Sequence, residues 1–588
     1  MTGNNDAWGV LLTRDRATAR LWAPSATSVA LRLADGQTVP MPRQAEGWHQ
    51  AEIPALQPGA RYAFLVDGQQ VPDPAARSQP DGPDGWSEIV DLDAYRWQSS
   101  WSGRPWRETV LYELHIGTFS REGTFLGAIP HLDHLARLGV TMIELMPIGT
   151  FPGARNWGYD GVLPFAPDAA YGTPQDLQRL VDACHANGLS IVLDVVYNHF
   201  GPKSTYLDAY AKPFFTDRHH TPWGAAINFD GEHSAPVRTY YLQNALMWLE
   251  EYRFDGLRLD AVQAIKDDSA SHFLEELGTV LRARIHGRPV HLMLENDLNE
   301  ARWLGGPHGY DAQWNDDFHH VMRVLLAHQT DGYYEDYAED PIEQLGRALT
   351  QGFSYQGQQS KHRPGMFRGT PSGHLSPLCF VDFLQNHDQV GNAPYGQRLS
   401  HLAPPEAVRL GAAVLLLSPG IPMLFMGEEW AASTPFDFFC DYDGDLADAV
   451  RNGRRDEFKR FEAFKSEAAL AKLSDPVSPV TAQRSALDWT ELSKPAHAET
   501  LALHAELLRL RATRLLPLLD KIGNGRFTAL GNRAITASWQ STGRIWTIAA
   551  NFAPDAIPYT APAGEILFAI GDRSGRSVSG WGFLAILS

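Results

Sequence analysis

Basic residues are scarce in this chain: 50 lysines and arginines stand against 69 aspartates and glutamates, a formal charge of −19. That balance argues against nucleic acid and anionic membranes as partners, since both need a basic face. Cysteine is scarcer still. Cys184, Cys379 and Cys440 are odd in number and far apart, so neither a disulfide framework nor a zinc site is expected, and the cytoplasm is the natural compartment. Uninterrupted apolar runs are missing too. The longest, from Gly411 to Gly427, is broken by Ser418-Pro419-Gly420 and Pro422, which argues against a membrane span. The opening MTGNNDAWGV has no basic stretch followed by an apolar one, so no secretory leader is expected. Neither a phosphate-cradling glycine motif nor a nucleophile elbow occurs. The pairs His219-His220 and His319-His320 lack metal-ligand partners at helical spacing, which favours surface or packing roles over zinc. Asp441, Asp443, Asp445 and Asp448 resemble a calcium loop, but Gly444 and Asn452 occupy the wrong positions. No metal and no cofactor is therefore expected.

What is present is ample length, 588 residues, and enough apolar side chains, 44%, for a buried core. The first hundred residues read as strands: Val29, Leu31 and Leu33 alternate with small or polar residues, as do Tyr62, Phe64 and Val66 before a turn at Asp67-Gly68. From Val110 the pattern changes to short apolar runs alternating with amphipathic segments, the mark of repeated β-α units around a parallel sheet. Eight strand candidates follow, at 110–115, 141–146, 190–196, 256–262, 290–295, 310–314, 378–384 and 421–426. Eight is the number that closes a barrel. Helices should cover it. Thr173 can cap one that starts at Pro174, carries Leu177, Leu180, Val181 and Cys184 on one face and ends at Gly188. Phe273, Leu274, Leu277, Val280 or Leu281, and Ile285 form a second stripe, and Leu503, Leu507 and Leu510 a last one. The tail returns to β patterning at 533–539, 544–552 and 564–570. The expected fold is α/β: a (β/α)8 TIM barrel over 106–519 with active-site loop insertions, an N-terminal β-sandwich over 1–105 and a C-terminal antiparallel β domain over 520–588.

Alternate side chains of a barrel strand point inward, and the strands' C-terminal ends form the active-site mouth. On Gly256-Leu-Arg-Leu-Asp260, Leu257 and Leu259 share the helix-facing side, which leaves Arg258 and Asp260 inward. The same parity sends Leu292 and Leu294 outward and Glu295 inward. The third strand ends in Asp194-Val-Val-Tyr-Asn198-His199 and the seventh in Gln385-Asn386-His387-Asp388. Any one of these carboxylates alone could be a salt-bridge partner or a cap. Delivered together to one rim without a metal-ligand pattern, they suit glycoside hydrolysis, in which one carboxylate attacks the anomeric carbon and a protonated one assists the leaving oxygen. Neighbouring negative charge would keep the acid protonated, and Arg258 would keep Asp260 ionised.

The segments DVVYNH, GLRLDAV, LEND and QNHD, in this order and at these spacings, resemble the four signature regions of the α-amylase superfamily of glycoside hydrolases. The resemblance implies Asp260 as nucleophile, Glu295 as general acid/base and Asp388 as transition-state stabiliser. It places His199, Arg258, Asn386 and His387 among the substrate contacts, with Tyr159 as a stacking tyrosine where a core aromatic is the alternative. Asp194 and Asn198 match supporting positions that in some relatives bind calcium. The stretches LENDLN, DAQWNDDFHH, HRPGMFRGTPSGHL and FLQNHDQVGN are similar to those of the trehalose-releasing members. They imply retaining cleavage of the α-1,4 bond beside the terminal α,α-trehalose of maltooligosyltrehalose, and a functional pairing with a maltooligosyltrehalose synthase. An α-1,4-glucan branching or debranching enzyme on the same scaffold is the alternative. Gln263 and the Cys440-Asp-Tyr442 run depart from that group's usual His and Thr-Asp-His. Trp97, Trp101 and Trp106 are expected to pack between domains more than to bind sugar.

Overall fold

The structure is a computed structural model that describes residues 7–12, 16–54, 56–306, 309–459 and 466–588. Met1–Asp6, most of the segment read above for a leader, lies outside the described residues. All eight strand candidates form, as Leu111–Leu114, Met142–Leu145, Ser190–Val195, Gly256–Leu259, His291–Leu294, Ala312–Trp314, Phe380–Phe383 and Ile421–Phe425. They pair in parallel in chain order, and the eighth returns to the first to close the barrel.

Inward side chains including Leu111, Met142, Val192, Met293, Trp314, Phe383 and Met423 fill the barrel as a separate apolar cluster, whereas Leu257, Leu259, Leu292 and Leu294 join the outer core beneath the helices. The side-chain parity read from the fourth and fifth strands therefore holds, because alternation survives any curvature of the sheet. The helix Pro174–Ala186 starts with a capping box in which the Thr173 and Asp176 side chains exchange bonds with each other's backbone. Gly188 takes φ +71° just beyond its end.

At the N-terminus, one antiparallel sheet holds Gly9–Leu12, Arg16–Trp22 and Trp48–Pro54, and a second is built around Val29–Leu33 and Arg61–Val66. The buried Trp22 and Trp48 of the first sheet converge on Trp8, whose ring meets Trp48 and Tyr240 edge-on at 5.2 and 5.1 Å. Tyr240 belongs to the barrel helix Ser234–Glu250, so the sheets are seated on the barrel by aromatic packing. Trp101 also turns to the barrel, bonding Asp255 at 2.8 Å and stacking on His185; Trp106 bonds the Leu378 carbonyl at 2.8 Å. The C-terminal sheet has five antiparallel strands. Two of them, Arg526–Gly531 and Phe583–Leu587, went unread in the sequence. The first is largely exposed, and the second is apolar throughout, so neither alternates cleanly. Among the described residues no helix is long and apolar enough to cross a membrane.

Candidate active site

Arg258 is the hub of the barrel mouth. Its side chain is fully buried, with the guanidinium 4.0 Å above the Trp314 ring. Nη1 donates to Asp194 Oδ2 at 2.8 Å and to Asp260 Oδ1 at 2.9 Å, while Nη2 donates to Glu295 Oε2 at 2.8 Å. One cation thus gathers carboxylates from the third, fourth and fifth strands. Asn198 holds the other Asp260 oxygen through Nδ2 at 2.8 Å and bonds the Asp260 carbonyl at 2.7 Å. Directly after Asp260 the chain turns through Ala261 at φ +39°, a left-handed conformation unusual for a residue with a Cβ. That turn aims the Ala261 N–H at Glu295 Oε2, 3.0 Å away.

Burial works against ionisation in this cluster. Burial raises Glu295 above the ordinary carboxyl range; Arg258 opposes the rise and the Asp260 charge adds to it. Desolvation is thus the leading cause, with the neighbouring negative charge expected from the sequence contributing less. Burial also lifts Asp194 to about 7. Deeper in the barrel, Glu144 is fully buried, with no hydrogen-bond partner on either oxygen among the described residues, and burial raises it far above its usual value. Glu144 was not recognised from the sequence, although the inward parity applied to the second strand singles it out.

The seventh strand leads into the short helix His387–Gly391, capped by Asn386, whose Oδ1 accepts from the Asp388 N–H at 2.9 Å. Asn386, expected among the substrate contacts, is buried, and its Oδ1 is the atom that caps this helix. His387 bonds through Nδ1 to Glu113 of the first strand, and its backbone N–H reaches Glu113 Oε2 at 3.1 Å. Its Nε2 lies 3.4 Å from Asp388 Oδ1. Glu113 is a second residue that strand parity could have found. Tyr159 lays its ring against His387, with centroids 5.0 Å apart, and donates its hydroxyl to Asp194 Oδ2 at 2.7 Å. His199 donates from Nε2 to the Tyr159 carbonyl at 3.0 Å, its Nδ1 meets Asn198 Oδ1, and burial lowers the ring to about 4. Stacked on it at 4.4 Å is Trp223, half-exposed at the tip of a hairpin formed by Phe215–Thr221 and Gly224–Ile227. A long loop separates that hairpin from the third strand, so local patterning could not place it at the mouth.

For His387, burial disfavours the charged ring, but the Asp388 and Glu113 carboxylates outweigh it and raise the value to about 9. The folded state therefore holds this proton more tightly than the unfolded chain, whose histidines titrate near 6.5. The resulting stabilisation is complete below about pH 6.5 and is lost as pH rises through 9. Thermal melts of His387→Gln between pH 6 and 10 are expected to decline less steeply than those of the unaltered protein; parallel curves would contradict this assignment.

The two departures from pattern sit near the same rim. Gln263 accepts a long 3.4 Å bond from the Asp297 N–H, and Tyr442 is buried beside Asp160. Asp441 and Asp443 pair with Arg155 and Lys203, as side chains of solvated loops do. His219 does gain partners that helical spacing could not reveal, lying 2.9 Å from Asp230 and 3.8 Å from Asp268. Arg218 also claims Asp230 at 3.0 Å, which makes the group an ion-pair network.

Comparison with known proteins narrows the reading. The alpha amylase catalytic-domain family matches residues 76–233, and carbohydrate-binding module 48, the isoamylase N-terminal domain, matches residues 8–95. The malto-oligosyltrehalose trehalohydrolase of Deinococcus radiodurans is 44% identical over 84% of this chain and 80% of its own length. That of Rhizobium sp. strain M-11 is 43% identical over 86% of this chain and 85% of its own. A crystal structure of a candidate alpha amylase from Salmonella typhimurium superposes with a TM-score of 0.95 at 42% identity, covering 99% of this chain and 100% of that one. By its barrel, its carboxylates on one arginine and its identity to these relatives along most of its length, the chain belongs to the malto-oligosyltrehalose trehalohydrolases of the α-amylase superfamily of glycoside hydrolases.

Proposed function

We propose that this enzyme hydrolyses the α-1,4-glucosidic bond beside the terminal α,α-trehalose of maltooligosyltrehalose, releasing trehalose and a maltooligosaccharide by a retaining double displacement. The observation that carries the specificity is the high identity to trehalohydrolases along most of the chain. The chemistry follows from the arginine-centred carboxylates.

In the first step Asp260 Oδ attacks the anomeric carbon and forms the glycosyl-enzyme, while Glu295, whose acid form burial favours, gives its proton to the departing trehalose oxygen. In the second step Glu295, now a carboxylate, takes a proton from water, which attacks the same carbon and frees Asp260. Arg258 suits both steps because it touches both carboxylates. It favours the ionised nucleophile and receives the negative charge that appears on Glu295. Asp388 offsets the positive charge of the oxocarbenium-like transition state, and Asp194 supports the site by holding Arg258 and Tyr159. Tyr159, His199 and His387 form the walls around the sugar that is cleaved. Asn198 positions Asp260, and Asn386 contacts the substrate beside His387 while its Oδ1 caps the helix that carries Asp388.

The substrate is a neutral oligosaccharide, in keeping with the surplus of acidic side chains. The functional partner is the maltooligosyltrehalose synthase that makes it, and the shared compartment is the cytoplasm, where buried unpaired cysteines such as Cys184 and Cys379 stay reduced. The N-terminal module contributes carbohydrate binding. Product analysis tests the proposal. Maltotriosyltrehalose is expected to yield trehalose and maltotriose at least about tenfold faster than maltopentaose is cut, because a fitted leaving-group pocket discriminates by this order. Equal rates on both substrates would make the enzyme a general α-glucanase, and α-1,6 cleavage of amylopectin without trehalose release would favour the debranching alternative.

A further inference from the structure

Asp388 is the least anchored of the three central carboxylates. Its side chain is 39% exposed and makes no contact with Arg258. One oxygen, Oδ1, accepts from Asn392 Nδ2 at 3.2 Å and has His387 Nε2 at 3.4 Å. Asn392 closes the helix that Asn386 opens, its N–H bonding the Asp388 carbonyl at 2.8 Å. Its amide could in principle present either the oxygen or the nitrogen to Asp388. Arg454 decides which. This arginine lies on the helix Gly444–Phe458, beyond the eighth barrel strand, and can only donate. Nη1 bonds Asn392 Oδ1 at 2.9 Å and Nη2 bonds the Gly391 carbonyl at 3.1 Å. With the amide oxygen held by the guanidinium, Nδ2 must face the Asp388 carboxylate. Without the guanidinium the amide oxygen loses its anchor, and Nδ2 is no longer held in one position against Asp388.

Arg454 is itself well fixed. Its guanidinium lies 5.2 Å from the Phe438 ring centre and 5.0 Å from that of Phe458, and its side chain is only 16% exposed. The supporting backbone is equally tight, since a Cβ on Gly391 would fall 1.9 Å from the Trp157 ring. We propose that Arg454 and Asn392 are positioning residues for Asp388: the guanidinium orients the amide, and the amide pins one carboxylate oxygen so that the other faces the reacting sugar. The proposal rests on the stabiliser role given to Asp388 above.

Steady-state kinetics on maltotriosyltrehalose test it, with Arg454→Ala, Asn392→Ala, the double variant, Arg454→Lys and Asp388→Ala compared side by side. Each of the first two is expected to lower kcat about 10–100-fold, the scale of a misplaced catalytic group, with KM within about threefold. The double variant should fall no more than about threefold below the worse single one, because both act through one chain of contacts. Arg454→Lys, which can still donate to Asn392 but cannot also span to Gly391, should recover part of the loss. Asn392→Ala carries the test if Arg454→Ala fails to fold. Losses that multiply in the double variant, a change confined to KM, or kcat within twofold of the unaltered enzyme in both single variants would overturn the relay. Asp388→Ala separates the two readings. Inactivity there beside active Arg454 and Asn392 variants removes only the relay, whereas an active Asp388→Ala removes the stabiliser role on which it rests.

Discussion

Asp260→Asn is expected to lower kcat on maltotriosyltrehalose by on the order of 10⁴–10⁶, the loss typical of removing a covalent nucleophile. An amide nitrogen or oxygen cannot form the ester-linked glycosyl-enzyme, while everything that binds the sugar remains. The substitution also alters the hydrogen bonding. Both Asp260 oxygens accept, one from Arg258 and the other from Asn198, so the new NH2 meets a donor on one side or the other. Asp260→Ala is therefore measured beside it, because it removes the carboxylate without adding a misplaced donor. In the alanine variant, azide or formate should restore turnover and deliver a product of inverted anomeric configuration, since the small anion attacks from the side the carboxylate occupied. Arg258 keeps Asp194 and Glu295 as partners in either variant, so folding should survive. Activity of Asp260→Ala within tenfold of the unaltered enzyme would dismiss the nucleophile role.

For Glu295→Gln the expected loss in kcat is about 10²–10⁴-fold, the range spanned by positioned acid and base catalysts. The amide oxygen can still accept from Arg258 and the Ala261 N–H, as Glu295 Oε2 does, so the geometry is kept and only the proton is missing. The loss should nearly vanish for the first step with a fluoride or nitrophenyl glycoside, whose leaving group departs without protonation. Glucosyl-enzyme should then accumulate, because the second step has lost its base. In the unaltered enzyme, burial holds Glu295 in its acid form above the usual carboxyl range. The sign follows directly: kcat/KM falls as pH rises through the raised value and the proton leaves. That alkaline limb should be absent in Glu295→Gln. A variant that loses activity equally on good and poor leaving groups, with its limb intact, would assign the acid elsewhere.

Why these residues were legible in the sequence while others were not comes down to the range of the interactions involved. Arg258, Asp260 and Glu295 announce themselves because a polar side chain on the inward face of a strand is conspicuous among leucines. Glu113 and Glu144 carry the same signature within Leu-Tyr-Glu-Leu and Met-Ile-Glu-Leu, but they lie inside their strands and not at the C-terminal ends where catalytic groups gather. Asn386 is legible twice over: its place in the QNHD segment marks it as a sugar contact, and the fold adds that its Oδ1 accepts from the free N–H groups at the start of the next helix. Trp223 and Arg454 were beyond reach by any local rule.

By itself, then, the sequence determined the eight strands, their inward faces, the helices between them and the carboxylates at their ends. All of these depend on periodicities of two or 3.6 residues, which neighbouring side chains impose on one another. Tertiary structure alone decided that one guanidinium should hold Asp194, Asp260 and Glu295, and that Glu113 should meet a histidine 274 residues further on. It likewise set Trp223 on His199 and ran Arg454 through Asn392 to Asp388. Such contacts form only when the eighth strand closes on the first and long loops fold back over the mouth. Closure brings together groups whose separation along the chain carries no local signal of their meeting.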